Sequence, residues 1–191
     1  MDRRGLLRAL LAAPLAGASW LAQAQKKGLA MVEELQRNWK TFLAAGVANP
    51  SAGEAVSLSK DEWRKRLSPA AYNVLREDGT ERAGTSPLDR EKRAGVFACA
   101  GCDLPLFTSA MKFDSGTGWP SFFTTIAGVF TEKTDYYLIY PRTEYRCKRC
   151  GGHHGHVFKD GPPPTGLRYC NNGVALKFIP KDGKAQAGPT A

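Results

Sequence analysis

Four of the five cysteines in the chain stand in two pairs of the same spacing, Cys99-Ala-Gly-Cys102 and Cys147-Lys-Arg-Cys150, and any fold must accommodate them first. Two Cys-x-x-Cys turns brought together place four thiolates in a tetrahedron around one Zn2+, with Zn–S distances near ~2.3 Å. Gly101 and Gly151 are expected to permit the tight turn that each pair needs. Four sulfurs fill the coordination sphere and leave no position for water or substrate, so such a metal is structural rather than catalytic. Two disulfides or a redox-active pair would use the same residues, but two separated pairs of matched spacing favour a metal. The fifth cysteine, Cys170, is left over as a free thiol.

The 191 residues, 42% hydrophobic and 24% charged, suffice for one globular domain with an extension at one end. A formal net charge of +9 could attract nucleic acid or an acidic membrane. The lysines and arginines are scattered rather than gathered into a stripe, which argues against nucleic acid as a partner. Several of the charges lie at the start of the chain, where Arg3-Arg4, Leu6-Leu7 and Arg8 precede an apolar, Ala-rich run to Leu21. Ala22-Gln23-Ala24 then offers the small-x-small residues of a cleavage site after Ala24. The segment resembles a twin-arginine export signal, which predicts a periplasmic protein with no stable membrane insertion once residues 1–24 are removed. An uncleaved anchor is the alternative, although a run interrupted by Arg8 is shorter than the ~20 residues of a spanning helix. Export of an already folded chain would let the thiols take up metal in the reducing cytoplasm.

Leu29, Val32, Leu35, Trp39, Phe42 and Leu43 recur at helical spacing and predict a helix from Leu29 to Ala45. Gly46 and the run Asn49 to Gly53 read as a stop and a linker, so 25–57 forms a helix plus linker ahead of a domain over 58–180. Ser59 and Glu62 make a capping box before Trp63, Arg66 and Leu67, and Pro69 opens a further helical turn through Tyr72 and Leu75. From about Val96 the chain breaks into short apolar runs separated by Gly, Pro, Asp and Thr, the texture of an all-β region. Strands are expected at Gly95–Ala98, Leu106–Ser109, Val129–Thr131, Tyr136–Tyr140, Thr143–Arg146, His156–Phe158, Leu167–Asn171 and Ala175–Ile179. The tail over 181–191 has nothing to bury and is expected to be disordered.

The chain's three histidines all sit in His153-His154-Gly155-His156, and Cys170 follows within Arg168-Tyr169-Cys170-Asn171-Asn172. A thiol beside imidazole and guanidinium can be held partly as the nucleophilic thiolate, and the polar neighbours of Cys170 argue against an inert buried cysteine. In a plain strand His154 and His156 would share a face and His153 would point away. A bulge at Gly155 would re-aim one of them, so the pair that faces the thiol stays open. Asp114-Ser-Gly-Thr-Gly-Trp-Pro-Ser121 reads as a loop that presents Trp119, with burial in the core as the alternative.

Taken together, Phe113-Asp-Ser-Gly-Thr-Gly-Trp-Pro-Ser-Phe122, His153-His-Gly-His-Val-Phe-Lys-Asp-Gly-Pro162 and Pro164-Thr-Gly-Leu-Arg-Tyr-Cys170 resemble the B-type methionine sulfoxide reductases. The resemblance runs from about Leu58 to Ile179 and includes both cysteine pairs. It implies a mainly β fold of two small antiparallel sheets around the active site, with N-terminal helices and a four-cysteine zinc site on the opposite side. It implies that Cys170 attacks the sulfoxide sulfur while His153 or His156 protonates the leaving oxygen. Trp119 would pack against the substrate methyl group, and Arg168, Asp160 and Asn172 would hold the thiolate and its polar network. The implied function is repair, in the cell envelope, of methionine-R-sulfoxide in proteins or peptides. It would pass through a Cys170 sulfenic acid and need a thioredoxin-like or other thiol reductant, with the chain acting as a monomer. The chain departs from the family at several positions. Thr117 stands where many members carry a resolving cysteine, so an external thiol would reduce the sulfenic acid directly. His154 replaces a usual Leu, Asn171 and Gly173 replace an aliphatic residue and a Ser, and Tyr136-Tyr-Leu-Ile-Tyr140 lacks a usual Gly-Met pair.

Overall fold

The structure, a computed structural model, describes residues 13–44, 54–136 and 141–183, with side chains from Trp20 onward. The arginine pair, the linker at 46–53, most of the strand expected over Tyr136–Tyr140 and the tail from 184 lie outside the described residues. Among the described residues, three α-helices precede the sheets: α1 (Ala13–Arg37), α2 (Lys60–Arg66) and α3 (Pro69–Glu77). Nine strands follow: β1 (Gly95–Cys99), β2 (Pro105–Thr108), β3 (Lys112–Phe113), β4 (Ser121–Phe122), β5 (Phe130–Asp135), β6 (Arg142–Cys147), β7 (His153–Phe158), β8 (Arg168–Asn171) and β9 (Leu176–Pro180). They form two antiparallel sheets, one of three strands in the order β2-β1-β9 and one of six in the order β3-β4-β8-β7-β6-β5. The fold is therefore mainly β, as the sequence predicts.

The local signals for the short helices operate as read. The Ser59 hydroxyl accepts the Glu62 N–H at 3.3 Å while the Glu62 carboxylate accepts the Ser59 N–H at 2.8 Å, and α2 starts there. Ser68 caps α3, with Pro69 at the first helical position where its missing N–H costs nothing. That helix buries Ala71, Tyr72, Val74 and Leu75. Between the sheets lies an aromatic core in which Phe107 of β2 stacks on Phe122 of β4 at 3.9 Å, with Phe97, Phe130, Tyr145 and Tyr169 around them. Each such ring stabilises the fold by roughly 1.5–3 kcal/mol when fully buried.

Two features differ from expectation. The N-terminal helix ends at Arg37, and a 3-10 turn at Trp39–Phe42 takes over after Asn38. Its packed side is Val32, Leu35 and Trp39, tied down by Gln36 Nε2–H donating to Thr124 Oγ1 at 2.9 Å, whereas Leu29 is exposed. Gly28, four residues before Val32, holds this face because a Cβ there would press on Pro164. The helix runs unbroken through Ala24 and Gln25. No helix among the described residues is long and apolar enough to cross a membrane. Strands β3 and β4 are not visible in the sequence pattern, since two residues each are too few to show a period.

Candidate active site and metal centre

The first cysteine pair lies where β1 turns toward β2, the second between β6 and β7, so each sheet contributes one knuckle. The two turns are built alike. Asp103 N–H donates to Cys99 O and Gly151 N–H to Cys147 O, at 2.9 and 2.8 Å. Cys99 N–H and Cys147 N–H donate in turn to Leu104 O and Gly152 O. The left-handed residue is the one after the second cysteine in the first pair, Asp103 at φ 64°, and likewise in the second, Gly151 at φ 69°. Gly101 therefore does not supply the turn expected of it. It faces Cys150 Sγ, Trp63 and Leu75 at 3.5–3.6 Å from where a Cβ would lie. Arg76 and Arg149 close the knuckles by donating to Cys150 O and Cys102 O at 2.8 and 2.7 Å.

All four cysteines are buried and their sulfurs lie within 4.8 Å of one another. The short separations join opposite knuckles, Cys99 to Cys150 at 3.7 Å and Cys102 to Cys147 at 3.5 Å. A tetrahedron with ~2.3 Å metal–sulfur bonds has edges of roughly 3.8 Å, so the donor set fits one metal ion and leaves no open position. A second cluster, Asp78, Glu144 and His153, already holds a cation of its own, because Arg146 pairs with both carboxylates.

Cys170 lies on β8, in a pocket of about 140 Å³ lined by Thr80, Trp119, Arg142, His156, Phe158 and Asn172 among others. Strand register brings its neighbours together. On β7 its direct partner is His156, and on β4 it is Ser121, two residues after the pocket-lining Trp119. The histidine segment bulges: Tyr145 pairs with Gly155 but Arg146 with His153, so His154 is the extra residue. In consequence His153 and His156 come to one side, ring centroids 5.5 Å apart, and His154 turns into the core. The plain-strand pairing of His154 with His156 is thus overturned. Gly155 is required there, because a Cβ would collide with the Cys170 carbonyl oxygen.

Each of the two facing histidines is held by a carboxylate. His156 Nε2–H donates to Asp135 Oδ2 at 2.7 Å, and Arg142 pairs with the same oxygen at 2.6 Å. His153 Nδ1–H donates to Glu144 Oε1 at 2.6 Å. Burial raises the Glu144 carboxyl, but His153, Arg146 and Lys133 outweigh it and leave the group below its ordinary value. His156 lines the Cys170 pocket, while His153 lines a wider charged cleft beside it. Burial pushes the His156 imidazole below its usual value, against the pull of Asp135.

Burial also pushes the Cys170 thiol up, opposed by the Arg168 charge and by hydrogen bonds from Thr117 and Arg168. The net direction is upward from the ordinary thiol value. Arg168 is aimed by a bidentate pair with Asp160, at 2.9 and 2.8 Å, and lies over the Phe158 ring. Asp160 itself is exposed, and its charge works against the thiolate. Asn172 lines the pocket and holds the polar network beside it, its side chain joining His154 O to the Glu81 N–H. The Trp119 indole N–H donates to Glu81 O at 3.2 Å, which leaves one edge of the ring for the pocket.

Sequence reasoning missed Glu81, Asp135, Arg142 and Glu144. Glu81 ties several segments together, because its carboxylate also accepts the N–H groups of Gly173 and Val174 just beyond Cys170. A signal for Arg142 and Glu144 was available, since Arg142, Glu144 and Arg146 alternate with Thr143, Tyr145 and Cys147 along β6. Asp135 gave none, for it becomes a site residue only by pairing in register with Arg142.

Residues 67–180 match a family described as the SelR domain. The chain is 52% identical to the peptide methionine sulfoxide reductase MsrB of Agrobacterium fabrum over 126 residues, 65% of this chain and 93% of that protein. It is 52% identical to the MsrB of Pseudomonas putida over 133 residues, 68% of this chain and 98% of the relative. It is 50% identical to the chloroplastic peptide methionine sulfoxide reductase B1 of Arabidopsis thaliana over 133 residues, 69% of this chain and 66% of that one.

Proposed function

The chain belongs to the SelR-domain family of MsrB peptide methionine sulfoxide reductases, and from that premise we propose that it reduces methionine-R-sulfoxide in oxidised proteins to methionine through Cys170. The observation that carries the reading is the direct cross-strand placement of Cys170 opposite His156, in a pocket walled by Trp119. Asp135 engages His156 Nε2–H, which leaves Nδ1 as the basic nitrogen of the ring. The Cys170 thiol gives its proton to that imidazole as its sulfur attacks the sulfoxide sulfur, and the imidazolium returns the proton to the sulfoxide oxygen. The oxygen and the proton end on Cys170. Its sulfur is oxidised by two electrons to the sulfenic acid, and the substrate sulfur is reduced by two to the thioether. Arg168 stabilises the thiolate as it forms, and the Trp119 ring packs the methyl group.

Four of the five thiols are committed to the cluster, and Thr117 sits beside Cys170, so no resolving thiol is at hand within the chain. Two equivalents of an external thiol, thioredoxin-like or small, then return Cys170 to the thiol and release water and a disulfide. The metal at the four cysteines is assigned as Zn2+, which supplies a saturated structural crosslink between the sheets. The segment at 1–24 supports export by the twin-arginine route and work in the periplasm. Replacing Arg3 and Arg4 by Lys is expected to retain the protein in the cytoplasmic fraction; unchanged fractionation would refute export by that route.

The test is dithiothreitol-driven reduction of separate R and S epimers of a methionine sulfoxide peptide by wild type and Cys170→Ser, with metal quantified in both. Turnover of the R epimer alone, lost in the variant with metal retained, is the expected result. A folded, metal-loaded wild type without turnover would overturn the reading.

A further inference from the structure

Between β3 and β4 runs a row of hydroxyls that the proposed reaction does not use. Its inner end is Ser121 of β4, fully buried and paired in register with Cys170 of β8. Ser121 Oγ–H donates to Trp119 O at 3.0 Å. The same hydroxyl oxygen lies 2.7 Å from Ser115 Oγ, and Ser115 Oγ lies 2.8 Å from Thr117 Oγ1. The Thr117 hydroxyl in turn reaches the Cys170 sulfur. Gly116 and Gly118 flank Thr117 at φ 69° and 84°, a backbone that glycine takes without strain, and Gly84 N–H pins the loop by donating to Gly118 O at 2.7 Å. The charged and titratable groups around Cys170 are Arg168 with Asp160, His156 with Asp135, Arg142 and the Tyr145 phenol, all from β5 to β8 and the turn after β7. The loop adds one carboxylate, that of Asp114, which is exposed and accepts the Gly116 N–H.

The Cys170 sulfur, the three hydroxyl oxygens and Trp119 O form a row with four contacts to fill. While Cys170 is a thiol, the row holds four protons. Every contact is then filled if all of them point away from the sulfur, from Cys170 to Thr117, on to Ser115, to Ser121 and to the carbonyl. Once Cys170 is a thiolate, three protons remain. Turning each hydroxyl round points all three toward the sulfur and leaves the gap at the longest of the oxygen–oxygen contacts, the 3.0 Å one between Ser121 and Trp119 O. We propose that Ser115 and Ser121 are positioning residues for the nucleophile, joined to it through Thr117 in a hydroxyl relay that reverses direction when Cys170 gives up its proton. The proposal rests on the reading of Cys170 as the nucleophile. In the reversed relay each hydroxyl polarises the next, and the bond from Thr117 gains most because its acceptor is charged.

The experiment uses the full, zinc-loaded chain and follows iodoacetamide alkylation of Cys170 against pH, read on the peptide that carries it, beside dithiothreitol-driven turnover of the R epimer. Thr117→Val removes the first hydroxyl and is expected to move the alkylation midpoint up, slowing alkylation at neutral pH about tenfold. Ser115→Ala keeps the Thr117 hydroxyl and should slow alkylation by a smaller factor, about twofold to fourfold. The double variant should match Thr117→Val, because Ser115 acts on the sulfur only through Thr117. Thr117→Ser, which keeps the hydroxyl, should retain the wild-type midpoint. An unmoved midpoint in folded Ser115→Ala would overturn the relay. Effects that multiply in the double variant would overturn it too, since a serine that merely braces the loop acts with or without Thr117. A wild type whose variants shift as expected but which turns over no R epimer would refute the assigned reaction and leave the relay standing, a result separate from the other two.

Discussion

The chain holds two kinds of cysteine site that share a residue type and little else. At the knuckles, four buried sulfurs from two strand ends and the turns that follow them face one another, with Arg76 and Arg149 on the carbonyls of Cys150 and Cys102. In the pocket a single half-buried sulfur faces a guanidinium, a threonine hydroxyl and an imidazole held by a carboxylate. The first arrangement turns its thiols toward one another as a donor set that could hold a metal ion. The second leaves one thiol with proton donors and acceptors but no competing sulfur. Reactivity is set by who the neighbours are, and the neighbours are set by strand register.

The sharpest way to break that division is to exchange the consequences. Cys170→Ser is expected to lower R-epimer turnover by at least about 10³-fold with metal content and melting temperature unchanged. A loss of metal in that variant would mean that the two sites are not separate. His156→Gln should lower turnover by about 10²–10⁴-fold, and Asp135→Asn by less, since it only aims the ring. Normal rates in His156→Gln would transfer the proton role to His153 and its partner Glu144. Cys147→Ser should do the opposite of Cys170→Ser, abolishing metal binding and costing about 5 kcal/mol or more of stability, a fall of ~10–20 °C in melting temperature. Unaltered melting would remove the metal from the account of the fold.

The smallest effect concerns protonation. The Cys170 thiol is raised in the folded pocket, so alkylation by iodoacetamide should increase with pH through a midpoint above that of an ordinary cysteine. Arg168→Met removes the main opposing charge and should move the midpoint further up, slowing alkylation at neutral pH. A midpoint below the ordinary thiol range in the wild type would restore a resting thiolate. The sign for stability follows from the same shift. A thiol raised above its unfolded value binds its proton more tightly when folded, so its contribution is present below the unfolded value and lost as pH rises through the folded one.

Much of this is legible in the chain as written. The paired cysteines, the Ser59–Glu62 cap, most strands after Val96 and the isolation of Cys170 are all encoded within a few residues of themselves. A cap needs residues three apart, a knuckle needs its own turn, and a short alternating run needs only its neighbours, so local sequence carries them. What remained hidden was which side chains meet across strands. Whether His153 or His154 would share a side with His156 hung on a one-residue bulge, and a slip of one residue sends a side chain to the other face of a sheet. The left-handed position fell on Asp103 rather than Gly101, because the hydrogen bonds of the knuckle, not the conformational freedom of the residue, choose the corner. Asp135, Glu144 and Glu81 entered the site only when β5, β6 and the loop before β1 were laid beside β7 and β8. Sequence by itself determined which chemistries the chain could hold. The tertiary structure decided which residues share a face, because that depends on contacts between segments far apart in the chain.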